Sequence, residues 1–154
     1  AVHTQTHPNL TQLDEDEIVR QVEEDRKNLS RYAGYPVIGM AYPCGGVNND
    51  DRVAAILQSR TRVRYARTIT STGSFDAQEN LFRFNPTVHH LRENAFELAE
   101  KFLSMDAKTP KLFYIWGHAY ELDANGGWET LERLLKMLAF RKDIDYGTNR
   151  ELLL

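Results

Sequence analysis

The sequence predicts an α/β fold in which a parallel sheet or barrel is built from strand–helix units. Three observations carry that prediction. Short apolar segments alternate with amphipathic helical ones along the chain, the pattern of βαβ units. One segment, Leu112 to Trp116, is nearly all apolar, as in a strand buried on both faces. Polar and glycine-bearing motifs stand where strands should end, which is where such folds collect their chemistry.

The first helix is the clearest element. Asp14 with Glu17 three residues later makes a capping-box-like start. Ile18, Val22, Leu29 and Tyr32 then share a face, and Gly34 is placed for the stop. An apolar strand follows over Val37 to Ala41, ending in the turn-prone Tyr42-Pro43-Cys44-Gly45-Gly46. A short helix from about Asp51 to Ser59 turns Val53, Ile56 and Leu57 inward. Strands are expected over Val63 to Ile69 and Leu81 to Phe84. Leu91 to Met105 reads as a helix with Phe96, Leu98, Ala99, Phe102 and Leu103 as its buried stripe. After the strand at Leu112 to Trp116, a final helix over Trp128 to Phe140 carries Leu131, Leu134, Leu135 and Leu138. No internal repeat or linker interrupts residues 1–154, which read as a single domain.

Composition excludes some classes. A chain of 154 residues can bury a proper core, and 42% hydrophobic with 27% charged residues is ordinary for a globular protein. The net charge of −3 offers no basic footprint for nucleic acid. No apolar run approaches the ~20 residues of a membrane span. The single cysteine, Cys44, excludes an internal disulfide, so the fold does not depend on an oxidising compartment. The sequence shows no basic-then-apolar leader and leaves localisation open between cytoplasm and cell envelope.

Four groups of residues could carry chemistry. His3 and His7, in His3-Thr4-Gln5-Thr6-His7-Pro8, are four apart and can share one metal ion on a helical turn or compact loop; taken alone, they are equally two exposed terminal histidines. His118 ends an apolar strand beside Gly117, which leaves room for an approaching group, and Trp116, a flat face suited to a sugar. The alternatives are a buried histidine bonded to a carbonyl and a core tryptophan. Pro43-Cys44-Gly45-Gly46 makes a tight loop whose N–H groups can point at an oxyanion, or is simply a turn. His89-His90 is a second pair, but adjacent side chains on a regular element diverge and rarely chelate together. The Arg60, Arg62, Arg64 and Arg67 series fits the wet face of an edge strand. If Ala1 carries a free amine, Ala1-Val2-His3 also suits square-planar copper or nickel.

In this order and spacing the motifs resemble the polysaccharide deacetylases of the NodB-homology type, carbohydrate esterases that remove acetyl groups from glycans. His3-Thr4-Gln5-Thr6-His7 matches that family's His-Ser/Thr-x-x-His metal motif, Pro43-Cys44-Gly45 the second half of its Arg-x-Pro-x-Gly motif, and Phe113 to His118 its late strand ending in a histidine. Thr148-Asn149-x-Glu151 is also similar to one branch of the family.

The resemblance implies an incomplete, distorted (β/α) barrel and hydrolysis of acetyl groups from a glycan, with a divalent metal, zinc before others. It implies His3 and His7 as metal ligands, Thr4 behind them, the Cys44 N–H as oxyanion donor and His118 as general acid, with Trp116 and Tyr42 facing the sugar. Two departures stand out. The family's Thr-Phe-Asp-Asp segment, source of the base and third ligand, does not occur, and Asp14, Asp50, Asp51 and Asp123 do not match its position. The expectation is that its strand and following helix precede Ala1, and that the edge they leave invites self-association. Ala41 stands where many members have Arg, and Arg67 is the candidate replacement. A non-catalytic carbohydrate- or metal-binding domain, and an amidase acting on a small amide, are the alternatives.

Overall fold

The computed structural model describes residues 1–124 and 126–154 in full. The chain divides into two compact units, one formed by Ala1–Ile69, Gln78–Asn85 and Gly147–Leu154, the other by Thr70–Ala77 and Pro86–Tyr146. Helices and short parallel strands alternate in both, which is the α/β class the sequence predicts.

In the first unit the strands β1 (Gly39–Ala41) and β2 (Tyr65–Arg67) pair in parallel, with Met40 opposite Ala66. Val2 extends the array as a parallel bridge to Met40, and Phe84 does so at Arg67. Helix α1 (Glu15–Ala33) begins at Asp14, whose carboxylate accepts the Glu17 N–H at 2.9 Å, and three acidic residues in its first turn suit the positive end of the helix dipole. It ends where Gly34 takes a left-handed conformation at φ 75°. Helix α2 (Asp51–Arg60) is capped by Asp50, which accepts from the Val53 N–H. The two helices contribute Ile18, Val22, Val53 and Leu57, all without solvent exposure, to a core that includes Val2 and Met40. The short final helix, Asn149–Leu153, also belongs to this unit.

In the second unit β3 (Val88–His89) and β4 (Ile115–Trp116) pair in parallel, His89 opposite Trp116. Helix α3 (Ala95–Leu103) packs with α5 (Trp128–Leu138) over a core of Phe75, Val88, Ala95, Leu98, Ala99 and Leu134. Between β4 and α5 lies α4 (Ala119–Asn125); α6 spans Asn149–Leu153.

Several expectations need correction. Tyr32, expected on the buried face of α1, is 80% exposed. Leu81–Arg83 is a 3-10 turn and only Phe84 bridges to the sheet. Arg67 bridges Phe84 on one side while β2 pairs with β1 on the other, so the arginine series does not lie on an edge strand. The helix expected from Leu91 starts four residues later, at Ala95. The apolar run at Leu112 to Trp116 supplies a strand of only two residues, both half-buried.

Candidate functional site

Two histidine clusters are built, one in each unit. In the first, Val2 lies in the sheet, its N–H bonded to Gly39 O and its C=O to the Ala41 N–H. The chain then leaves the sheet at His3, whose backbone N–H donates to Asp25 Oδ2 at 2.7 Å. The His3 ring places Nδ1 2.8 Å from Ala41 O. A carbonyl only accepts, so Nδ1 carries the proton and Nε2 is left with the lone pair a metal needs. The rings of His3 and His7 meet edge to face with centroids 4.9 Å apart.

Burial pushes the His3 imidazole below the ordinary histidine value; the Ala41 bond opposes this, while the nearby His7 and Arg67 charges add to it. A neutral ring is the form that ligates. The same bonds close the copper or nickel reading of Ala1-Val2-His3. That geometry uses the amide nitrogens of Val2 and His3 and the His3 Nδ1, and all three are already held by Gly39, Asp25 and Ala41.

The loop after β1 comes to the same place. Cys44 Sγ lies 3.5 Å from His7 O and 3.8 Å from His7 Nδ1. Thr4, His7 and Cys44 all take positive φ, at 72°, 60° and 67°, and Phe140 is the one other non-glycine residue that does so among the described residues. Left-handed backbone in side-chain-bearing residues is strained and persists where the surroundings impose it. Asn48, fully buried, donates from Nδ2 to both Pro43 O and Cys44 O at 2.9 and 2.8 Å and so fixes the loop. Sequence reading missed Asn48; an Asn five residues after a turn proline carries no signal until its carbonyl partners are seen.

In the second unit the cluster centres on a carboxylate. Glu121 Oε2 lies 3.0 Å from His89 Nε2, 3.1 Å from His90 Nε2, 3.1 Å from His118 Nδ1 and 2.9 Å from the His118 N–H. Burial pushes the Glu121 carboxyl up, yet the hydrogen bonds from His90 and His118 outweigh it and hold it at about 2. Burial likewise pushes His89 below the ordinary histidine value, with Glu121 opposing and His90 adding to it. The His89 ring stands edge to face against His90 and Trp116, both at 4.6 Å.

Residues 1–61 match the family model described as polysaccharide deacetylase. Over that stretch the chain is similar to polysaccharide deacetylases. Comparison with curated proteins and with solved structures gave no match. The matched stretch contains His3, Thr4, His7 and the Pro43–Gly46 loop, the motifs on which the resemblance was read.

The structure brings His3, Thr4, His7 and Cys44 together, with Arg67 close enough for its charge to act on His3. Arg67 Nη1 also donates to Thr68 O. Tyr42 does not face a substrate: it is 1% exposed, and its hydroxyl donates to Phe82 O at 2.7 Å. Being the first residue after β1, it continues the inward face of the strand, so its ring joins the core. Trp116 and His118 belong to the second unit, where they stand 5.7 Å apart ring to ring.

A deacetylase metal fits the first cluster in part. His3 has its tautomer set for ligation, and beside it the Thr4 hydroxyl is buried with no hydrogen-bond partner, a polar atom that an ion or its water would satisfy. A catalytic zinc normally takes three protein ligands. Among the described residues, no third ligating side chain converges on His3 and His7.

Proposed function

We propose that this protein removes acetyl groups from a glycan by metal-dependent hydrolysis, on an incomplete (β/α)-barrel scaffold. One observation carries the reading: the family match over residues 1–61 falls on a histidine pair whose first member has its proton fixed by the Ala41 carbonyl. The parallel pairing of β1 with β2 and of β3 with β4 supports the scaffold.

In this reading His3 and His7 hold the ion through ring nitrogens, and Thr4 stands behind them. A divalent ion, zinc by the imidazole donors, supplies Lewis-acid polarisation and a more acidic bound water when present. The Cys44 N–H donates to the oxygen that gains charge in the tetrahedral intermediate, from a loop whose Cys44 side chain lies against His7. Arg67 orients the proton-accepting group. His118, with Nδ1 anchored on Glu121, keeps Nε2 to protonate the departing amine or alkoxide. Trp116 offers a face to the sugar.

The test is acetate release from N-acetylglucosamine oligomers and from acetylated xylan, with zinc added and with a chelator. The reading expects turnover only with metal, and loss of turnover in His7→Ala. Chelator-resistant turnover, or full activity in His7→Ala, would overturn it.

A further inference from the structure

We propose that His89 Nε2, His90 Nε2 and Glu121 Oε2 form a second divalent-metal site, of the zinc class, in addition to the His3–His7 pair. The three ligand atoms lie within 4.8 Å of one another. The Glu121 oxygen is 3.0 and 3.1 Å from the two imidazole nitrogens. Ligand atoms about 2.0–2.1 Å from a tetrahedral zinc stand roughly 3.4 Å apart, so small ring rotations suffice to bring the three onto one ion.

The carboxylate itself argues against a purely hydrogen-bonded cluster. Four nitrogens crowd Oε2: His89 Nε2, His90 Nε2, His118 Nδ1 and the His118 backbone N. One carboxylate oxygen has two lone pairs. Four N–H groups cannot all be satisfied there, so some of these nitrogens face the oxygen without a proton between. The His118 N–H is a permanent donor and accounts for one lone pair. An ion between the two Nε2 atoms and Oε2 takes the imidazole lone pairs and reduces the groups competing for that oxygen from four to three.

The site is also built to stay. The side chains of His89, His90 and Glu121 are 15%, 5% and 22% exposed, so little water competes for the ion. Gly117 makes the space for one ligand: a Cβ there would fall 2.0 Å from His90 Cδ2. Parallel pairing aligns His89 with Trp116, and the His90 N–H donates to Trp116 O at 2.8 Å, which fixes the adjacent histidines against α4. Because β3 ends at His89, the two residues are not on one regular strand, and both rings reach the same carboxylate.

One contact opposes the arrangement. The Leu91 N–H points at His89 Nδ1 at 3.3 Å, favouring the proton on Nε2. That distance is beyond the usual 2.7–3.2 Å range, and so long a hydrogen bond is far weaker than a metal–imidazole bond. Metal binding moves the proton to Nδ1 and gives the contact up. Three protein ligands leave one coordination position open.

The inference does not depend on the deacetylase reading. Its test uses the whole chain carrying His3→Ala and His7→Ala, which removes the other pair, titrated with Co²⁺ and followed by visible absorption. One bound equivalent is expected. Adding Glu121→Gln or His89→Asn should weaken binding by more than about a hundredfold, beyond the roughly 10–100-fold that loss of an outer partner typically costs. Zinc should also shift the imidazole ¹⁵N resonances of His89 and His90 at Nε2. Loss of all Co²⁺ binding in the double variant, or unchanged affinity with Glu121→Gln, overturns the proposal. Should Glu121→Gln fail to fold by circular dichroism, His89→Asn decides by the same criterion.

Discussion

The His3 ring is held by Ala41, the residue that also ties the chain just before it to the sheet: Ala41 accepts from His3 Nδ1 at 2.8 Å and donates its N–H to Val2 O at 2.9 Å. The residue that ends β1 therefore sets both the position and the tautomer of the first histidine. Among the described residues, His7 has no such bond to the sheet and meets Cys44 instead. The prediction is that His3→Ala and His7→Ala reduce zinc binding alike but differ in stability. His3→Ala should cost about 1 kcal/mol, the net worth of one hydrogen bond, and His7→Ala clearly less. Urea unfolding of the two variants without metal makes the comparison.

At Cys44 the backbone and the side chain make opposite predictions. If the thiol acted as nucleophile, every replacement would abolish activity. The proposed mechanism gives the work to the N–H, so Cys44→Gly should keep activity. Left-handed backbone costs a side-chain-bearing residue ~1–2 kcal/mol, and glycine gives back roughly 0.4–1 kcal/mol through the entropy of the unfolded chain. The net change should be a stabilisation of less than about 1 kcal/mol, read from thermal melts alongside acetate release.

Asn48 is the opposite case, a side chain with no freedom. Its Nδ2 serves two carbonyls of the same loop and it has no exposed surface. Asn48→Ala leaves those acceptors without this donor, a cost on the order of 2 kcal/mol. Asn48→Asp should cost more, because a carboxylate would face two carbonyl oxygens. Denaturant midpoints of the two variants give the order, and the reverse order would mean that the loop is held elsewhere.

The contrast between these residues shows what the sequence could and could not reveal. Asp14, Glu17 and Gly34 announced the limits of α1 because caps act within a few residues of chain. The His3–His7 motif was legible for the same reason. Asn48 and the contacts of Glu121 with His89 and His90 were not legible, since each depends on partners brought near by folding. The Leu91–Met105 pattern overran its helix because periodicity cannot see that Leu91 follows directly on a strand whose end turns at His90 and Leu91. His89-His90 was set aside on the rule for regular elements, and β3 stops between them. Tyr42 carried a substrate role from its motif position, whereas burial decided its place.

The ion pair of Glu23 and Arg26 makes a pH-dependent prediction. Their side chains are 15% and 8% exposed and 2.8 Å apart. Burial pushes the Glu23 carboxyl up, and the hydrogen bonds from Arg26 and from the Arg62 N–H outweigh it, so the group sits below its ordinary value. A carboxylate with a lower pKa folded than unfolded adds stability above its unfolded value, about 4.3, and loses it as pH falls through the folded value. Arg26→Met should therefore cost on the order of 3 kcal/mol at pH 7, where a charged Glu23 loses its partner. The cost should shrink below about pH 4 as Glu23 takes up a proton. Equal costs at both pH values would mean that the pair is too well solvated to matter.

Gly117 offers the sharpest steric prediction. An added Cβ would fall 2.0 Å from His90 Cδ2 and 2.2 Å from Nε2, inside the ring itself. The ring has little freedom to yield: its side chain is 5% exposed, and its Nε2 faces Glu121 Oε2 at 3.1 Å. Gly117→Ala should then act as an overpacking change of about 1–3 kcal/mol, and the displaced ring should leave Glu121. Glu121 would lose one of the bonds that keep its carboxyl at about 2, so its titration, followed by carboxyl ¹³C chemical shift, should move upward in this variant. Gly127→Ala is the control in the same unit, since its Cβ would come no closer than 3.0 Å, to the end of the Leu122 side chain. If both alanines leave the Glu121 titration where it is, His90 does not depend on Gly117 for its place.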